Sequence, residues 1–169
     1  MIKKTLSELA VYQGDVNLPK GLNFNVESLR ADIIDYSTSN KDFPFSKNLD
    51  ILDTYIRDYF NLHYKKCLIK KHVSSFIIGR DEQTENIIEA DPMNLKDAAD
   101  FVMLYGVKIK NNSCKIIFKY DDNRIKNMFY EKQLNENSFL IFPSTTIYQI
   151  TKNEFNLKNY ILKIYYESH

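Results

Sequence analysis

The hydrophobic period of the chain changes once, and the change divides it. Val26, Leu29, Ile33 and Ile34 recur at helical spacing behind Asn25, a residue suited to cap a helix. The polar stretch "STSNKDFPF" follows, and its Pro44 separates this helix from the next. Ser46 then stands before "KNLDILDTYIRDYFNLHY", where Leu49, Leu52, Ile56, Tyr59 and Phe60 form one stripe and Asp50, Asp53, Arg57 and Asp58 lie off it. The spacing predicts a second helix that packs this stripe on a sheet. From residue 68 the period is that of extended chain. "LIKKHVSSFII", "ENIIEA", "DFVMLYGVKIK", "CKIIFKY", "IKNMFYEKQL", "SFLIF", "TTIYQIT" and "NYILKIYYE" are eight strand candidates in succession. Turn signals divide them at Gly79-Arg80-Asp81, Asp91-Pro92, Asn111-Asn112, Asp121-Asp122-Asn123, Asn135-Glu136-Asn137 and from Asn153. Ahead of the first helix, residues 1–24 read as an opening strand or arm with turns at Gly14-Asp15 and Pro19-Lys20-Gly21.

Helices first and then strands without intervening helices predict an α+β fold with an antiparallel sandwich or jelly-roll core. The 169 residues suffice for a single domain, 1–169, with the arm and helices in 1–66 and the β-sandwich core in 67–169. Hydrophobic content of 44% and aromatic content of 14% exclude a disordered chain. With only four glycines and four prolines, many turns must be built from Asn, Asp and Ser.

Twenty-three basic against 22 acidic side chains give a net charge of +1, which leaves no general footprint for nucleic acid. The local exception, "YKKCLIKKH", reads first as an edge strand guarded by lysines and second as a phosphate-binding patch. Cys67 and Cys114 stand far apart and in no zinc-ligand spacing, so two reduced, partly buried thiols are expected. No apolar run approaches the roughly 20 residues that span a bilayer, and no secretory h-region follows Met1. Phosphate-loop, dinucleotide and nucleophile-elbow motifs are missing. His63, His72 and His169 are scattered and begin no metal motif. Asp91, Asp97 and Asp100 lie in one loop, while Asp121 and Asp122 suit a hairpin turn.

The order of elements, together with "EADP" (89–92) before "FVMLYGVKI" and the later "FLIFPS", resembles the iron(II)/2-oxoglutarate-dependent oxygenases. The likeness is to the short prolyl-hydroxylase-like members found in bacteria and their viruses. It implies two helices packed on a double-stranded β-helix, with two histidines and a carboxylate holding iron and an arginine on the last strand holding 2-oxoglutarate. Residue by residue it places Glu89 where the first histidine belongs, Asp91 at the acid, and Tyr148 at the second histidine. Lys158 or Asn159 falls where the arginine belongs. Iron of this kind needs imidazole nitrogens beside the carboxylate. A Glu/Asp/Tyr set supplies none.

These departures lead us to expect a non-enzymatic, oxygenase-like β-sandwich without cofactor or metal. It would act through other proteins, by self-assembly or within a larger assembly such as a phage virion. Tyr130, Tyr165 and Tyr166, in "MFYEK" and "IYYE", are the candidate interface residues, since aromatic anchors are enriched at interfaces. A cytoplasmic or virion-associated, non-secreted, non-membrane protein is expected, with nucleic acid no partner. Two alternatives stand beside this reading. One is a divergent oxygenase whose metal is held by Glu89, Asp91 and Tyr148. The other is a cupin-like binder of a small molecule in an open polar mouth.

Overall fold

The computed structural model describes residues 9–39, 41–91, 93–122 and 125–169, and for Asp122 the backbone alone. The first eight residues, Pro92 and Asn123, on which part of the expected arm and two expected turns fall, lie outside the described residues.

Both helices form where their caps and stripes place them. Helix α1 spans Val26–Thr38, and the Asn25 side chain accepts from the Glu27 and Ser28 amides at its start. Helix α2 spans Lys47–Tyr64; Ser46 caps it through the Leu49 amide, and Lys65 ends it in the left-handed region. The strands are β1 (Tyr12–Asp15), β2 (Leu68–Ile78), β3 (Phe101–Lys108), β4 (Lys115–Asp122), β5 (Ile125–Gln133), β6 (Ser138–Pro143), β7 (Ile147–Ile150) and β8 (Asn159–Ser168). They form a five-stranded sheet, β1-β6-β3-β8-β2, and a three-stranded sheet, β5-β4-β7, with every pairing antiparallel.

Strand alternation builds two apolar layers from one sheet. On β3, Phe101, Met103 and Tyr105 join Leu29, Ile33, Leu52, Ile56 and Phe60 beneath the helices. Val102 and Leu104 turn the other way and meet Phe118, Phe142, Tyr148 and Ile150 between the sheets. The α2 stripe therefore packs on a sheet, as its spacing predicts. The lysine-rich β2 is an edge strand of the larger sheet, again as its composition predicts.

Two local readings change. Gly14-Asp15 is not a turn, because both residues pair with β6 inside β1. "ENIIEA" makes a single bridge, Ile87 to Tyr148, instead of a named strand. It nonetheless runs beside β7, with the Thr84 amide bonded to Ile150, Ile87 exchanging bonds with Tyr148, and the Glu89 and Ala90 amides both on the Ser144 carbonyl. The Phe142-Pro143-Ser144 hinge thereby holds this segment in place. The Ser144 hydroxyl is spent on the Ala99 carbonyl.

Gly106 is required by a close approach: a Cβ there would collide with the backbone carbonyl oxygen of Asn135. A Gly106→Ala substitution should therefore cost roughly 1–3 kcal/mol, as overpacking does. Urea unfolding should show a lower midpoint at unchanged slope.

Candidate functional site

The inward residues of β8 are Ile161, Lys163 and Tyr165, alternating with Leu162, Ile164 and Tyr166 on the helix side. A lysine is thus driven into the space between the sheets, where its side chain is 9% exposed. Such a charge is costly unless it is paired and hydrogen-bonded. Glu89, held by the bonds to Ser144, meets it: Lys163 Nζ donates to Glu89 Oε1 at 2.8 Å. The Tyr148 hydroxyl, from the smaller sheet, donates to the same oxygen at 2.5 Å. The Tyr165 hydroxyl donates to Oε2 at 2.7 Å. The ammonium also lies 4.6 Å from the Phe76 ring centroid and 5.0 Å from that of Tyr165, within cation–π range.

The electrostatics follow from these contacts. Burial pulls the Glu89 carboxyl upward, but the bonds from Lys163, Tyr148 and Tyr165 and the ammonium charge outweigh it and hold the group below its ordinary value. Burial first, and then the facing Glu89 charge, push the Tyr148 phenol far above its usual range. Burial and the bond to Glu89 do the same for Tyr165. At neutral pH the Glu89 carboxyl is therefore ionised and both phenols keep their protons.

The structure brings Glu89 and Tyr148 together and leaves Asp91 out. The Asp91 carboxylate is exposed and accepts from the Met93 amide at 2.9 Å, closing a turn of its own loop. Neither residue expected in the arginine's place is bonded to the Glu89 cluster. Lys158 is exposed, and Asn159 is buried against the 110–113 turn, bonded to the Lys110 amide and to Ser113. The inward cation of the last strand is Lys163, which the sequence reading passed over. The available signal was a lysine in phase with the sheet-facing side of an apolar strand.

One of the three interface candidates is corrected. Tyr166 is fully buried under the helices, its hydroxyl 2.8 Å from Asp53 Oδ1, so it cannot meet a partner. Tyr165 is half-buried and committed to Glu89. Tyr130 keeps 43% exposure beside Phe118. Leu104, Phe118, Phe142 and Ile161 fill much of the space between the sheets with buried apolar side chains. Of the thiols, Cys114 is buried, which pushes it up to about 12, and Cys67 is exposed.

Iron(II) does not fit this donor set. Glu89 Oε1 already accepts two bonds and Oε2 one, none of them from an imidazole, and the lysine's positive charge would repel a dication. Among the described residues, no group of three or more His, Cys, Asp or Glu is arranged to hold a metal. No helix among them is long and apolar enough to cross a membrane.

Two facing antiparallel sheets, backed by two helices on the larger, define the class: the chain has the double-stranded β-helix fold of the 2-oxoglutarate oxygenases. The viral collagen prolyl hydroxylase of Paramecium Bursaria Chlorella virus-1 superposes with a TM-score of 0.64 at 10% identity, over 92% of this chain and 94% of that one. A prolyl-4-hydroxylase of Pseudomonas putida gives 0.62 at 10% identity, over 93% and 84%. A 2OG-Fe(II) oxygenase-family oxidoreductase of Burkholderia pseudomallei gives 0.54 at 9% identity, and there 71% of this chain spans 56% of that protein. At these identities the likeness is one of fold. Protein-family models and curated proteins give no match to the sequence.

Breaking a buried pair by removing one partner costs about 3 kcal/mol or more, because the other charge is stranded. Glu89→Gln should lose that much at neutral pH. Since the carboxyl is depressed in the folded state, its contribution is full above the ordinary glutamate value of 4.5 and fades as pH falls through the depressed one. Denaturation of wild type and Glu89→Gln across pH should therefore show a gap that narrows on acidification. The double substitution Glu89→Gln/Lys163→Met removes both charges while keeping an acceptor for the two tyrosine hydroxyls, and should recover most of the loss.

Proposed function

We propose that the chain is a non-catalytic, protein-contact module on an oxygenase-like scaffold, a structural or assembly component of the kind a phage virion uses. The observation that carries this reading is the occupancy of Glu89: its two oxygens are taken by Lys163, Tyr148 and Tyr165, in the place where the family resemblance puts a metal ligand. The scaffold is kept while the donors that iron chemistry needs are replaced by an internal cation and its hydrogen bonds. The viral source of one similar structure accords with the setting.

The second reading, a divergent oxygenase, draws on the contact between Glu89 and Tyr148 and on the enzymes among the similar structures. It requires Asp91 to leave its turn and Lys163 to withdraw. Titration calorimetry of the purified protein with iron(II) and with manganese(II), each with and without 2-oxoglutarate, separates the two. We expect no saturable heat in any of the four titrations. Micromolar binding strengthened by 2-oxoglutarate would overturn the non-catalytic reading.

A further inference from the structure

β5 ends the smaller sheet, and among the described residues it pairs with β4 alone. A nine-residue strand with one unmatched edge presents a row of backbone donors and acceptors that another strand satisfies. Features that blunt such an edge sit at its start, in Lys126 and in Asn127 at φ 60°. Residues 128–133 continue in regular register with β4. This part is also where large apolar side chains lie open: Phe129 is 61% exposed and Tyr130 43%.

The charges on the strand suggest which strand it takes. Met128 stands opposite Tyr120 and Ile125 opposite Asp122, with the register shift between them, so Met128 and Ile125 share a face. Lys126 therefore shares the other face with Phe129 and Glu131, which stand opposite Lys119 and Ile117. On that face the positive residue is near the start of the strand and the negative one near its end. An antiparallel copy centred on Tyr130 sets Phe129 against Glu131 and brings Lys126 diagonally beside the other copy's Glu131, twice by symmetry. Tyr130 faces its own copy at the centre, on the side of the sheet where its ring already stacks on Phe118.

We infer that two copies of this chain associate edge to edge through β5, joining their smaller sheets into one. The inference rests on the protein-contact reading above and names the surface that serves it.

Light-scattering mass over a dilution series tests it. Wild type should pass from dimer to monomer on dilution, with β5 amides protected from hydrogen exchange in the dimer. Lys126→Glu and Glu131→Lys should each weaken the dimer roughly tenfold, by turning two symmetric attractions into repulsions. The double substitution should restore it, since the lost Lys115–Glu131 pair affects monomer and dimer alike. A wild-type monomer at every concentration would overturn the inference and leave the edge to a strand of another protein. A dimer indifferent to both reversals would overturn it too, placing the interface elsewhere. The mass measurement contains no metal or cosubstrate, so a monomer leaves the non-catalytic reading standing, whereas iron binding would remove that reading without touching the dimer.

Discussion

A positive charge carried between two packed sheets must be answered inside the protein, and Lys163 sets that requirement. The answer draws on three parts of the chain: Glu89 from the segment beside β7, Tyr148 from β7 and Tyr165 from β8 itself. Each donor–acceptor pair spans a sheet boundary or a long loop, with Glu89 and Lys163 separated by 74 positions. The segment that carries Glu89 has few backbone bonds of its own, to Ile150, Tyr148 and Ser144. The ionic contact and the Ser144 hinge together make that segment part of the sandwich.

Adjacent tyrosines on β8 serve carboxylates on opposite faces of the same sheet. Tyr165 donates inward to Glu89, and Tyr166 donates outward to Asp53 on α2. Asp53 is 1% exposed and is further met by Arg57 at 3.1 Å and Lys70 at 3.5 Å. The central strand pair, β3 and β8, is thus anchored to the helix layer on one side and to the smaller sheet on the other. Strand alternation, applied to two tyrosines in a row, produces both anchors.

That same alternation explains which parts of the structure could be read from the sequence. The helices, their caps and seven of the eight expected strands were evident because each is written in a local period and a local capping or turn residue. The segment 85–90 reads as a strand from its own composition, but its bonding is limited to one side of β7 and one bridge. The resemblance placed Glu89 and Tyr148 together, and they meet. It did not place Lys163: strand phase marks that lysine as inward, but its partner Glu89 comes from a segment that the strand pattern does not connect to it. Tyr165 and Tyr166 looked available for an interface for the same reason, since a tyrosine's commitments lie in its tertiary partners.

Replacing a buried ion pair by well-packed apolar groups is often neutral or stabilising, so stability alone does not explain the pairing of Lys163 with Glu89. Register does more. A one-residue slip of β8 would turn Lys163 toward the apolar helix layer and away from Glu89, and would turn Leu162 and Ile164 toward Glu89. An apolar strand with Val- and Ile-type residues on both faces tolerates such a slip far better. The buried charge makes the wrong pairing expensive, and the two tyrosine bonds extend the same penalty to the neighbouring positions. In this scaffold the internal contact of Lys163 with Glu89 ties β8 of the larger sheet to the segment beside β7 of the smaller one.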